Sequence, residues 1–194
     1  MQKKVLGILG SPCPEGNAAA LLDAVLRGAE SSGAQTERID VASLDIRPCD
    51  SCRECDTLGA CSHFKDDMGI IYSKIREVDV IVLASPIYFM GVSAQLKAMI
   101  DRCQCFWIER YVLKNRPYKG RAHPKGFFIA TAGSSRRPSS NLRSTAQKPS
   151  SLLLTTIMRA RSSWAIRTIP RFRGRGRALS GAPISKARSS VNRT

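Results

Sequence analysis

The last 62 of the 194 residues contain no aspartate and no glutamate. The whole chain carries 31 Lys and Arg against 15 Asp and Glu, a formal net charge of +16. A surplus of that size would suggest a polyanionic partner. Its distribution argues otherwise. Residues 1–132 hold 17 basic residues and all 15 acids, near balance, while residues 133–194 hold the other 14 basic residues. The surplus belongs to the last third, so it does not describe the rest of the chain. Aromatic residues are scarce at 6%, which disfavours base stacking on an aromatic platform. No apolar run approaches the roughly 18 residues of a membrane span. Histidine occurs twice, as His63 and His123, and both read as surface residues rather than proton donors. There is no Gly-Lys-Ser/Thr loop and no G-x-G-x-x-G fingerprint, which excludes a Walker nucleotide site and a dinucleotide fingerprint of that type.

What is present is a 43% hydrophobic fraction, enough for one core, arranged in alternating periods. Val5–Gly10 is a short apolar run closed by glycine, the pattern of a buried parallel strand. The same stretch is too brief for a signal peptide and lacks a small-residue cleavage site, so a cytoplasmic protein is expected. Ala18–Ser31 carries Leu21, Leu22, Val25 and Leu26 at helical spacing and stops before Gly33. Thr36–Val41 alternates as a strand. Asp67–Glu77 predicts a helix with Met68, Ile71 and Ile75 on one side. Asp79–Ser85 is a clear buried strand, Ser93–Cys105 predicts a helix, and Gly126–Ala132 a fourth strand. Strands alternating with helices imply an α/β architecture, a parallel sheet covered on both faces. Ligands of such sheets bind outside the carboxyl ends of the strands.

Seven cysteines in a cytosolic chain point to a metal centre or redox chemistry rather than disulfides. Four of them, Cys49, Cys52, Cys55 and Cys61, form C-x2-C-x2-C-x5-C, with a turn at Gly59 before the last. Three thiolates at successive two-residue gaps surround one small volume. That tight triple spacing suits an iron–sulfur cluster, which presents several iron corners close together. Zinc, which usually takes two separated C-x2-C knuckles, is the lesser alternative, and four unrelated thiols the least. Cys103 and Cys105 are two apart, do not share a helix face, and read as free, partly buried thiols.

The segment Gly10-Ser11-Pro12-Cys13-Pro14-Glu15-Gly16-Asn17-Ala18 joins the first strand to the first helix. A helix N-terminus behind glycine, hydroxyl and amide side chains offers unpaired N–H groups to a phosphate, although Asn17 could equally serve as an N-cap. Without the two fingerprints above, a mononucleotide phosphate is the natural guest.

Taken together, Gly10-Ser11-Pro12 with Gly16-Asn17, the cysteine loop, Asp66-Asp67-Met68, Ser85-Pro86-Ile87-Tyr88-Phe89, and Ser93-Ala94-Gln95-Leu96-Lys97 with Asp101-Arg102 closely resemble the iron–sulfur flavoproteins. These are a branch of the NADPH-dependent FMN reductase group with a flavodoxin-like fold, and the resemblance spans residues 3 to about 135. It implies a three-layer sandwich with FMN at the carboxyl ends of the strands, a 4Fe-4S cluster near it, and a homo-oligomer. By the same resemblance, Ser11, Gly16, Asn17 and Ala18 would cradle the FMN phosphate. Ser85, Pro86, Ile87, Tyr88 and Phe89 would run along the ring and ribityl chain, and Thr131, Ala132 and Gly133 would flank the ring. Cys49, Cys52, Cys55 and Cys61 would ligate the cluster. Where the family commonly has a basic residue, this chain has Cys13. On the bland alternative, Ser85-Pro86 merely ends a strand, Tyr88 and Phe89 are core, and Asp101-Arg102 is a solvated helix end.

The implied chemistry is electron transfer, with no side chain required as an acid–base catalyst. The implied partners are NAD(P)H or a ferredoxin-like protein. Two other classes compete: a flavin-only NAD(P)H-dependent FMN or quinone-type reductase without a cluster, and a basic nucleic-acid-binding protein. The expected organisation is a flavodoxin-like domain over 1–133, with the cysteine loop at 49–61, and an atypical basic tail over 134–194. The family would continue with a helix, a fifth strand and a last helix. Residues 133–194 instead contain twelve Arg and thirteen Ser, with strand or helix character only over Leu152–Met158 and Trp164–Ile169. Such acid-free sequence is what a shifted reading frame near Gly133–Arg137 produces, and a regular fifth strand is expected to be missing. The competing reading is a real tail in which residues 171–177 (Arg-Phe-Arg-Gly-Arg-Gly-Arg) bind nucleic acid non-specifically and with strong salt dependence.

Overall fold

The computed structural model describes residues 2–115 and 123–132. Four strands, β1 (Lys4–Leu9), β2 (Gln35–Asp40), β3 (Val80–Pro86) and β4 (Lys125–Thr131), form one sheet in the order β2-β1-β3-β4. All three pairings are parallel. Five helices connect them: α1 (Asn17–Ser31), α2 (Cys55–Leu58), α3 (Met68–Glu77), α4 (Ala94–Arg102) and α5 (Gln104–Trp107). A 3-10 turn follows β2 at Val41–Ser43 and a π-helical turn follows α5 at Ile108–Val112. The expected elements are found with ends shifted by one residue, except the helix over Ser93–Cys105, which is divided in two. The expectations about a fifth strand, Leu152–Met158, Trp164–Ile169 and the basic tail fall outside the described residues.

Alternation along the central strands divides the core in two. Leu6 and Ile8 of β1 and Ile81 and Leu83 of β3 face Met68, Ile71 and Ile75 of α3, Leu96 and Met99 of α4, and Phe106. Val5 and Leu9, with Val82 and Ala84, face Ala18, Ala19, Leu22 and Leu26 of α1. Each leucine or isoleucine fully removed from water contributes about 1.5–3 kcal/mol. β1 and β3 are central and apolar on both faces, which is why their sequences run continuously rather than alternate with polar residues.

Two glycines permit the layers to approach. A Cβ on Gly7 would stand 2.9 Å from Leu26 Cδ1, and one on Gly10 would stand 2.6 Å from Leu96 Cβ. The second contact involves the root of a helical side chain, so α4 can only lie where it does because residue 10 has no side chain.

The helix expected over Ser93–Cys105 breaks after Arg102. Cys103, Cys105, Phe106 and Ile108 are all buried, which one straight helix could not achieve, since residues two apart point to nearly opposite sides. The break releases the Arg102 carbonyl, which accepts from the Tyr72 hydroxyl at 2.8 Å. Cys103 and Cys105 are thus fully buried rather than partly so.

Candidate functional site

The direction of the chain reverses between β1 and β3: β1 leads outward to β2, and β2 returns by way of α3 to β3 on the other side. In doubly wound sheets this reversal opens a crevice at the carboxyl ends of the two strands. Two loops border it, residues 10–16 after β1 and residues 87–93 after β3.

In the first loop, Ser11 is buried and its Oγ accepts from the Cys13 amide at 3.1 Å. Gly16 caps α1 in an extended conformation, and no side chain caps the helix. Asn17 is exposed, so it does not spend its amide on the cap; Ala18 is buried in the α1 face of the core. Ala18 can therefore offer a ligand only its backbone N–H. The loop itself carries no basic residue, with Cys at position 13. The fold supplies one from β2: Arg38 donates to the Pro14 carbonyl at 3.0 Å while paired with Asp23 and Asp40.

In the second loop, Ser85 is wholly buried. Its Oγ donates to the Pro86 carbonyl at 2.8 Å and accepts from the Ser93 amide at 3.1 Å. Ser93 in turn donates to the Gly10 carbonyl and accepts from the Leu96 amide at 3.2 Å. Ser85 and Ser93 therefore lock the ends of β1 and β3 to the start of α4, and Ser85 has no exposed hydroxyl for a ligand. Ser93, expected as the first residue of the helix, is its N-cap, and its hold on Gly10 leaves no local trace because 83 residues separate them.

Beyond Pro86, the Ile87 amide donates to the Thr131 carbonyl at 2.7 Å, joining the loop to the end of β4. Tyr88 and Gly91 exchange two backbone hydrogen bonds of 2.9 Å. They enclose Phe89 and Met90, both at positive φ, 45° and 68°. A two-residue hairpin turn with positive φ at both positions ordinarily takes Asn-Gly, and bulky residues there carry strain of about 1–3 kcal/mol each. Tyr88, Phe89 and Met90 are exposed, so they are not core. Ala132 is exposed beside Thr131, and Gly133 lies outside the described residues.

The cysteine loop forms a second site. Cys49, Cys52, Cys55 and Cys61 line one cavity of about 300 Å³, with Phe64, Arg102 and Cys105 among its other walls. Ser51 and Arg53 adopt positive φ, 62° and 65°, and α2 ends on Gly59 at φ 64°. Left-handed residues of this kind let the loop turn tightly between successive cysteines, and the Cys52 amide donates to the Asp50 carboxylate at 3.2 Å. Burial pushes the Cys55 thiol up, and Asp56, Cys61, Cys49 and Cys52 add to the effect in that order. Four thiolates cannot share this volume without a cationic centre, so the donor set fits a thiolate-bound cluster.

The floor of the cavity is ionic. Arg102 and Asp66 are buried and paired at 2.7 Å. Burial alone would raise the Asp66 carboxyl, but the Arg102 guanidinium and the Arg47 and Met68 amides outweigh it and hold the group below the usual carboxylate range. Arg102 also donates to the Arg47 carbonyl at 2.9 Å and, through Nε, to Cys61 Sγ at 3.1 Å. The solvated-helix-end alternative thus fails for Arg102 and holds for Asp101, an exposed partner of Lys97. On the outer side, His63 lies 3.0 Å from both Glu54 and Asp50. Bonding to Glu54 chiefly raises the imidazole, and His63 lowers Glu54. Cys52, Glu54 and His63 bring one donor atom each within 4.8 Å of one another.

Helix α4 runs between the two sites: Ser93 caps it at the crevice, and Arg102 ends it at the cysteine cavity. Its nine residues amount to about 14 Å of helix.

A parallel sheet in the order 2-1-3-4 with helices on both faces and a crevice at the β1/β3 reversal is a flavodoxin-like α/β architecture. Solved structures agree on that fold. A NAD(P)H:quinone oxidoreductase from Methanothermobacter marburgensis superposes with TM-score 0.64 at 16% identity, covering 87% of this chain and 83% of its own. A flavone reductase gives 0.56 at 21%, covering 79% and 49%. The family model for NADPH-dependent FMN reductase matches residues 3–163, and the chain belongs to that family. Among curated proteins it is similar to iron-sulfur flavoproteins. One from Methanocaldococcus jannaschii is 46% identical over 99 residues, 51% of each chain. One from Archaeoglobus fulgidus is 42% identical over 99 residues, 51% of this chain and 44% of the relative. The chain spans about half the length of the curated relatives it matches.

Proposed function

We propose that the protein is an FMN-dependent oxidoreductase that carries a 4Fe-4S cluster on Cys49, Cys52, Cys55 and Cys61. The observation that carries this reading is the gathering of all four thiols on one cavity, linked by α4 to the crevice where a flavodoxin-like fold takes its ligand. When bound, FMN supplies hydride or single-electron chemistry and the cluster single-electron chemistry. The chain's own residues then bind, orient and insulate. Ser11, Gly16 and the amides of Asn17 and Ala18 hold the phosphate, with Arg38 as the nearby cation. Ile87 to Phe89 lie along the ring, and Thr131 to Gly133 beside it. Ser85 and Ser93 fix the two loops relative to each other and touch no cofactor. No side chain is assigned a proton.

The redox partner in this reading is NAD(P)H or a ferredoxin-like protein. The resemblance to the family adds a homo-oligomer in which flavin and cluster approach each other across subunits. The domain division at 133/134 and the origin of the basic tail are part of the same proposal. No helix among the described residues is long and apolar enough to cross a membrane.

A second reading, a flavin-only reductase whose loop holds zinc, draws on the convergence of Cys52, Glu54 and His63, donor types that zinc accepts. Anaerobic reconstitution with iron and sulfide decides between them. The first reading expects one FMN and about four iron and four sulfide per chain. Flavin without iron, or zinc retained against iron, overturns it.

A further inference from the structure

Resting on the cluster assignment above, the geometry points to Arg102 as a positioning residue that fixes the Cys61 sulfur and raises the reduction potential of the cluster it ligates. Nothing about position 102 in sequence announces this. Arg102 closes an amphipathic helix whose neighbour Asp101 is solvated, and its own side chain is withdrawn from water together with Asp66.

A buried guanidinium must satisfy its N–H donors, and this one divides them by direction. The Nη side is used for structure: Nη1 donates to Asp66 at 2.7 Å and to the Arg47 carbonyl at 2.9 Å, and Nη2 donates to Asp66 at 3.3 Å. The Nε side donates to Cys61 Sγ at 3.1 Å. The ring of Phe64 lies under the guanidinium, 4.8 Å from its carbon. Asp66 is itself held by the Arg47 and Met68 amides at 3.1 and 3.2 Å. The fork is therefore clamped at its far edge and stacked on one face, so Nε cannot follow a moving sulfur. Cys61 is also the ligand that most needs such a guide. It follows Cys55 across a five-residue gap that contains the Gly59 turn, whereas the other three follow one another at two-residue gaps.

The sign of the electronic effect follows from charge. A cluster gains one negative charge on reduction, and hydrogen bonds to its sulfurs stabilise the more negative state, raising the potential. The Asp66 carboxylate neutralises the guanidinium from the Nη side, away from the sulfur, so the N–H dipole at Cys61 is what remains. Low dielectric around the pair strengthens that bond relative to one in water.

The test uses the FMN- and cluster-loaded full chain. The double variant Arg102→Met/Asp66→Asn removes both charges together and leaves no buried ion unpaired. Arg102→Lys keeps the charge beside Asp66 and loses the Nε donor and the planar fork. Cluster potential is read by anaerobic titration followed by EPR, with thermal unfolding measured in parallel. The double variant is expected to hold its cluster at a more negative potential, by about tenfold in the reduction equilibrium, or 59 mV for one electron. Arg102→Lys should shift in the same direction by less, and it decides the question if the double variant does not fold. A loaded variant with lowered unfolding temperature and an unchanged potential overturns the inference, because a merely structural arginine would behave so. Failure of the unaltered chain to bind iron overturns the cluster assignment itself, a distinguishable result.

Discussion

Substituting Gly10 by alanine tests whether the approach of α4 to the end of β1 is set by the missing side chain. The added carbon would lie 2.6 Å from Leu96 Cβ, 2.9 Å from its Cδ2 and 3.1 Å from its Cγ. Carbon atoms prefer about 3.5–4.0 Å, so a gap of about 1 Å must be opened. Leu96 can swing its outer carbons aside, but its Cβ is attached to the helix, so α4 itself must retreat. Overpacking of this kind costs about 1–3 kcal/mol. The retreat also draws Ser93 away from the Gly10 carbonyl and from Ser85, two buried hydrogen bonds at about 0.5–1.5 kcal/mol each. The expected loss is about 2–6 kcal/mol. At roughly 2–4 °C per kcal/mol for a chain of this size, the midpoint falls by about 4–24 °C. Urea and thermal unfolding followed by tryptophan fluorescence measure it. Gly28→Ala is the control, since a Cβ there meets nothing within 4 Å and the residue lies inside α1. That variant should gain about 0.5–1 kcal/mol. A Gly10→Ala protein as stable as the parent would refute the close-approach argument.

Two further outcomes follow from other parts of the molecule. Replacing Phe89 and Met90 by Asn and Gly relieves two positive-φ positions, so unfolding free energy should rise by about 1–3 kcal/mol. FMN affinity by fluorescence quenching should fall at the same time, and an unchanged affinity would remove the loop from the flavin site. Burial raises the Cys103 thiol well above its ordinary range and pushes Cys105 up to about 11. The neutral thiol is thus the folded form at pH 7–9, and the thiolate, the reactive species, appears only as pH climbs toward that value. Iodoacetamide and mass spectrometry on metal-free chain at pH 8 should modify Cys13, Cys49 and Cys52 and spare Cys103 and Cys105. Labelling of the latter pair at the same rate would contradict their burial.

The amino-acid sequence determined by itself those features that depend on neighbours along the chain. The apolar runs of β1 and β3, the helical spacing in α1 and the C-x2-C-x2-C-x5-C loop are all local patterns, and each is found where the pattern places it. The break of the expected Ser93–Cys105 helix was not legible, because the reason for it is the need to bury Cys103, Cys105 and Phe106 together against α3. Arg102 and Asp66 stand 36 residues apart and Arg38 and Pro14 stand 24 apart, so neither pairing leaves a periodic trace. Ser85 shows the limit from the other side: its motif suggested a cofactor contact, and the fold turns its hydroxyl inward to hold Ser93. Spacing specifies which groups a short loop can gather. Only the packing of β1, β3 and α4 decided which polar groups lose water and must find partners, and that cost of desolvation is what joins Arg102 to Asp66 and Cys61.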